Sequence, residues 1–153
     1  MTMYLLALLV GVIAGLRAFT APAIVSWAAA LGWLNLQGSW LAFLGDRFTP
    51  YVFTVLALVE FVTDQLPSTP SRKVPMQFAP RLLSGALCGA AIGIPAGQPV
   101  GGLVAGIIGA VIGTFGGAEA RGRLAAAFGS DRPAALIEDA VAILAGALVL
   151  VAL

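Results

Sequence analysis

Between Leu82 and Ala118 the chain reads LLSGALCGAAIGIPAGQPVGGLVAGIIGAVIGTFGGA, without a single charged side chain. As one helix rising 1.5 Å per residue this stretch would be about 55 Å long, nearly twice the roughly 30 Å hydrocarbon core of a bilayer. Its middle, Ile94-Pro95-Ala96-Gly97-Gln98-Pro99, carries two prolines and a glycine, so the stretch predicts two membrane-length helices joined by a tight turn. Working outward, no charge falls in residues 1–16, 18–45, 48–59 or 140–153 either. Of the 153 residues 60% are hydrophobic and 10% charged, against about 45–50% and about 25% in soluble domains, which places the chain among integral membrane proteins.

The same ruler divides the rest. Pro50–Leu66 forms a short span closed by Pro67, and Ala134–Leu153 forms another, opened by Pro133. The first apolar segment is too long for one perpendicular crossing and carries Arg17 and Pro22 within Gly15-Leu16-Arg17-Ala18-Phe19-Thr20-Ala21-Pro22, which predicts a helix broken there, its second half re-entrant or lying along the interface. The expected fold is all-α: a polytopic transmembrane helical bundle in one integral membrane domain, residues 1–153, with five hydrophobic elements at about 3–33, 50–66, 78–95, 99–117 and 134–153. The N-terminus has no positive n-region, so the first element reads as a retained helix.

Arg72, Lys73, Arg81, Arg121, Arg123 and Arg132 fall in or beside two connections on one side, leaving Arg47 and Arg17 for the other. The positive-inside rule makes the six-charge side cytoplasmic, with the N-terminus inside if the first element crosses once and outside if it forms a hairpin. A weak internal repeat relates Gly11-Val12-Ile13-Ala14-Gly15 to Gly109-Ala110-Val111-Ile112-Gly113 and Ala28–Gly32 to Ala125–Gly129; five spans would give the copies opposite orientations, as in inverted-repeat transporters. Gly85, Gly89, Gly93, Gly97 and Gly101 recur every fourth residue, and Gly102, Gly106, Gly109, Gly113 and Gly117 follow with similar spacing. Such faces let helix backbones approach closely in lipid, within a protomer or at a dimer seam. A thin bundle of this kind favours a homodimer in the lipid bilayer as the working unit.

Absence of histidine excludes His-based triads, haem ligation by histidine and His-containing zinc sites. The single cysteine, Cys88, cannot form an internal disulfide and reads as a small buried hydrophobe. Eight basic and seven acidic residues leave no basic surface for nucleic acid, and no motif asks for a cofactor. Ser84 and Thr63 have no visible activating base, so an enzymatic role is disfavoured.

The charges inside the spans carry the functional reading. Glu60 and Asp64, four apart, share one face at a helix C-terminus, where the macrodipole and their mutual repulsion both oppose them. Arg81 is the expected internal counter-ion, with Arg72, Lys73, Arg121 and Arg123 on the same side. Glu138 and Asp139 open the last element, where first-turn acids also satisfy a helix dipole. These residues predict a cytoplasmic-side cluster of Glu60, Asp64, Arg81, Glu119, Arg121, Glu138 and Asp139. It serves as a salt-bridge knot, an ion or proton site, or an anion-recognition site that includes Arg72 and Arg17. Two functions compete on this basis: a transporter or channel-like protein for a proton, cation or small solute, and a scaffold that packs through glycine faces and binds partners or anionic lipid.

Gly15–Ala23, Glu60-Phe61-Val62-Thr63-Asp64-Gln65-Leu66-Pro67 with Pro70-Ser71-Arg72, Arg81–Ala86 and Ala134–Asp139 together resemble a bacterial family of small integral membrane proteins, the Domain of Unknown Function 4126 family. The resemblance spans nearly the whole chain and implies a location in the bacterial cytoplasmic membrane. It also implies that an acid, an Asp-Lys-x-Pro-like turn, an arginine in the next span and a late Glu-Asp pair belong together. Gln65 stands where the pattern has a basic residue, so no role rests on that side chain. The family brings no activity with it.

Overall fold

The computed structural model describes residues 1–66, 71 and 73–153, so Pro67 and Arg72 lie outside the described residues. They form an all-α bundle: α1 (Thr2–Leu16), α2 (Thr20–Ala30), α3 (Thr49–Thr63), α4 (Pro75–Gly93), α5 (Pro99–Phe128) and α6 (Asp131–Ala152), with 3-10 turns at Ala42–Gly45 and Ile94–Ala96. α4 with its 3-10 turn, α5 and α6 are long and apolar enough to cross a membrane; α1, α2 and α3 are shorter apolar helices.

The break in the first element is where the sequence puts it. α1 stops at Leu16, Arg17 adopts an extended backbone at φ −142°, and α2 starts at Thr20. Pro22 falls in the first turn of α2, where its missing N–H breaks no helical hydrogen bond. α2 then doubles back. Tyr4 of α1 reaches Gln98 at one end of the bundle, Gly15 and Leu16 meet Arg81 at the other, and Ile24 of α2 lies against Gly146 of α6, on the way back. α3 runs antiparallel to α2, joined by a hydrogen bond from Trp27 Nε1 to Thr54 Oγ1 (2.9 Å) and by an edge-on contact between Trp27 and Tyr51.

This hairpin changes the parity of everything after it. Both ends of the chain lie at the end of the bundle away from Arg17, Arg81 and Arg121. α1 and α5, which carry the two matching glycine strings, run side by side in the same direction, with Gly11 over Gly106 and Gly15 over Ala110 and Thr114. The opposite orientation expected of those strings is therefore corrected: the extra pass made by α2 turns it into a parallel pair.

The expected turn between α4 and α5 is present. Gln98 donates its N–H to the Gly93 carbonyl (2.9 Å), Gly97 takes φ +70°, and Pro99 opens α5. α5, however, runs to Phe128 instead of ending near residue 117. Bilayer thickness limits the apolar part of a helix only, and Ala118–Phe128 is rich in good helix formers, carries the i,i+4 pair Glu119–Arg123, and stops at Gly129 with φ +69°.

The centre of the bundle is made of backbone contacts. Gly85 and Gly89 of α4 lie on Gly102 and Gly106 of α5, so closely that a Cβ at Gly89 would fall on the Gly102 carbonyl; the next face of α5, Gly109 and Gly113, lies on α1. The glycine faces are thus occupied by each other within one chain. Ile13, Val10, Val25, Leu41 and Val149 complete a buried core. Outside it the surface is apolar: Val55, Leu58 and Val62 of α3, Val104 and Ile108 of α5, and Leu144, Leu148 and Val151 of α6 are all exposed, as on helices that face lipid.

Candidate functional site: a buried arginine–carboxylate network at the helix break

Where α1 ends, three backbone carbonyls and two amides are released from helical pairing, and side chains from α3, α4 and α5 answer them. Glu60 of α3 accepts the N–H of Ala18 on Oε1 (2.8 Å) and that of Phe19 on Oε2 (2.9 Å). A carboxylate at an unfavourable helix C-terminus is thereby compensated by the positive N-terminal end of α2. Arg81 of α4 donates to the carbonyls of Gly15 (3.2 Å) and Leu16 (2.9 Å), and its Nη2 lies 3.8 Å from Glu60. Ser84, one turn on, donates to the Ala18 carbonyl (2.6 Å), and Thr114 of α5 to that of Gly15 (3.4 Å).

Arg17 is the hub. Its side chain is fully buried, with Nε donating to Asp139 Oδ1 at 2.7 Å and Nη2 reaching the same oxygen. Nη1 donates to the Leu16 carbonyl (2.9 Å), pairs with Asp64 Oδ2 at 2.5 Å and lies 3.6 Å from Glu138, while the guanidinium faces the Phe61 ring. Arg121 of α5 extends the network: it donates to Asp64 Oδ2 and to the Asp64 carbonyl (2.9 Å each), forms a two-pronged pair with Asp131 (3.0 and 2.7 Å) and lies 3.5 Å from Glu138. Gln65 reaches Asp139 Oδ2 at 3.4 Å.

Of the residues singled out from the sequence, Glu60, Asp64, Arg81, Arg121, Glu138 and Asp139 are brought together, and Arg17 joins them. Arg17 thus lies at the same end as Arg81 and Arg121, not at the end of Arg47, because α1 runs its full length before the break. Asp64 is held by Arg17 and Arg121, not by Arg81. Glu138 and Asp139 do not open their helix: α6 begins at Asp131, which puts them about two turns in and facing the arginines instead of free amides. Glu119 is corrected out of the cluster, since it projects from the exposed part of α5 and pairs with Arg123 at 3.0 Å. Arg72 lies outside the described residues.

Sequence reading missed the role of the Ala18 and Phe19 amides and the participation of Asp131. The available signal was Arg17 itself, a lone cation in a long charge-free stretch, which must find carboxylates or solvent. No group of acids or Cys88 suited to a metal ion occurs among the described residues. What the arrangement offers is a set of carboxylates that share arginines, in which one acid can lose its charge while each arginine keeps another partner.

The model of one family, described as Domain of unknown function (DUF4126), matches residues 4–153. No curated protein and no solved structure matches the chain. The chain belongs to the DUF4126 family.

Proposed function

We propose that this member of the DUF4126 family is a multi-pass protein of the bacterial cytoplasmic membrane that moves a proton, a cation or a small solute, with the network around Arg17 as its ion-responsive site. One observation carries the reading. In a chain this apolar, a helix is interrupted and its freed backbone groups meet Glu60, Arg81 and a buried Arg17 held by Asp64 and Asp139. Intramembrane ionisable residues are costly, and interrupted helices with ionisable partners are how transporters build ion sites. By the positive-inside rule the charged end faces the cytoplasm and both chain ends described here face away from it. The bundle is thin enough that a homodimer is the proposed working unit.

Flux in proteoliposomes tests this. Glu60→Gln and Asp64→Asn are expected to lower proton or cation flux while eluting from size exclusion as the native protein does. Native flux in both variants removes these acids from the mechanism.

A scaffold role is the second reading, favoured by the fact that Glu60, Asp64 and Asp139 are each already held by hydrogen bonds or ion pairs, as in a purely structural knot. It predicts that the same variants lose assembly and that even the native protein gives no flux above empty vesicles.

A further inference from the structure

We infer that α3 is a hinged helix, latched to the bundle by its own two carboxylates and released as a unit when they are neutralised. This deepens the transport reading and rests on it for its purpose, though not for its geometry.

α3 packs on α2 and on the 3-10 turn at Ala42–Gly45, and its outer face, Val52, Val55, Val59 and Val62, is exposed. In lipid such an apolar helix gains little hydrophobic free energy from burial against its neighbours, so its polar contacts join van der Waals packing in deciding where it sits. Those contacts fall at two places. Near the start of α3, Thr54 and Tyr51 hold Trp27 of α2. At its other end Glu60 takes the Ala18 and Phe19 amides and faces Arg81, while Asp64 faces Arg17 and Arg121. Phe61 beside Arg17 and Gln65 on Asp139 lie at the same end.

The arginines do not depend on α3. Asp131, Glu138 and Asp139, all on α6, also face them: Arg17 has Asp139 and Glu138, and Arg121 has Asp131 and Glu138. Arg81 has the Gly15 and Leu16 carbonyls. Protonating Glu60 and Asp64 therefore removes the charged part of the latch, leaving the neutral contacts of the Asp64 carbonyl with Arg121 and of Gln65 with Asp139, and it does so without leaving any of the three arginines bare, an asymmetry that a symmetric structural knot would lack. With Thr54 as pivot, Asp64 lies about 15 Å along the helix, and a tilt of about 20° would carry that end about 5 Å outward.

The test places nitroxide pairs on a Cys88→Ala background: Val62→Cys with Leu136→Cys at the charged end, and Val52→Cys with Leu148→Cys at the pivot end. The expected result in Glu60→Gln/Asp64→Asn protein is a population about 5 Å longer for the first pair and an unchanged distribution for the second. Acidification of the protein with both acids intact should produce the same population, and it serves as the readout if the double variant fails to fold. Unchanged distances at the charged end, or equal lengthening at both ends, overturns the latch. A shift at the charged end without any effect of the acids on flux leaves the latch standing and removes the transport reading. Altered flux without a shift does the reverse.

Discussion

Replacing Arg17 by methionine is the most informative single perturbation of this molecule. The guanidinium is fully buried and supplies two donors to Asp139 and one contact to Asp64. Asp64 keeps Arg121 when it goes, but Asp139 is left with Gln65, at 3.4 Å, as its hydrogen-bond donor. Removing one member of a buried ion pair costs about 3–5 kcal/mol, because the remaining charge stays desolvated. Replacing both members by apolar groups of similar volume is close to neutral. Arg17→Met is therefore expected to lose about 3 kcal/mol or more, and Arg17→Met/Asp139→Leu to recover most of that loss. Reversible denaturation in detergent micelles, run on the native protein, both single variants and the double, gives the coupling directly. A single variant within about 0.5 kcal/mol of native, or a double variant whose loss equals the sum of the singles, would refute the view of Arg17 as a buried hub.

Other consequences follow from the backbone contacts and the exposed charges. Gly106→Ala should destabilise the bundle by about 1–3 kcal/mol by driving a methyl group into the Gly85 carbonyl, whereas Gly122→Ala, with nothing within 4 Å, should be neutral or mildly stabilising; thermal size exclusion separates them. Gly97→Ala should cost about 1 kcal/mol at φ +70°, and Gly97→Asn less, measured as a shift in melting temperature. Glu119→Gln, which breaks only an exposed pair with Arg123, should change stability by less than about 0.5 kcal/mol and leave flux unaltered in vesicles.

Much of this architecture was legible because lipid imposes simple rules. A charge-free stretch too long for one crossing, with Pro95, Gly97 and Pro99 at its centre, has to turn there, and it does. Arg17 and Pro22 marked the break for the same reason. Less legible was the direction taken after the break, since an eleven-residue helix is too short for hydropathy to reveal whether it returns or lies flat. That one ambiguity propagated into the placement of Arg17 and the orientation of the glycine strings. The end of α5 was also hidden, because Glu119 and Arg121 mark where the apolar slab stops and not where the helix does. Within the site, residue types were readable and pairings were not. Arg81, at the start of the next span, was the expected partner of Glu60 and Asp64, yet Asp64 finds Arg17 and Arg121, which only the hairpin and the length of α5 bring to it.

The double variant Arg17→Met/Asp139→Leu separates fold from function, since it removes the charges at the centre of the network while keeping the bundle packed. Proton or cation flux through proteoliposomes carrying that variant is the most direct measurement of whether the network acts in transport. Folded protein with flux reduced to that of empty vesicles is the predicted result. Native flux from the same folded variant would contradict it.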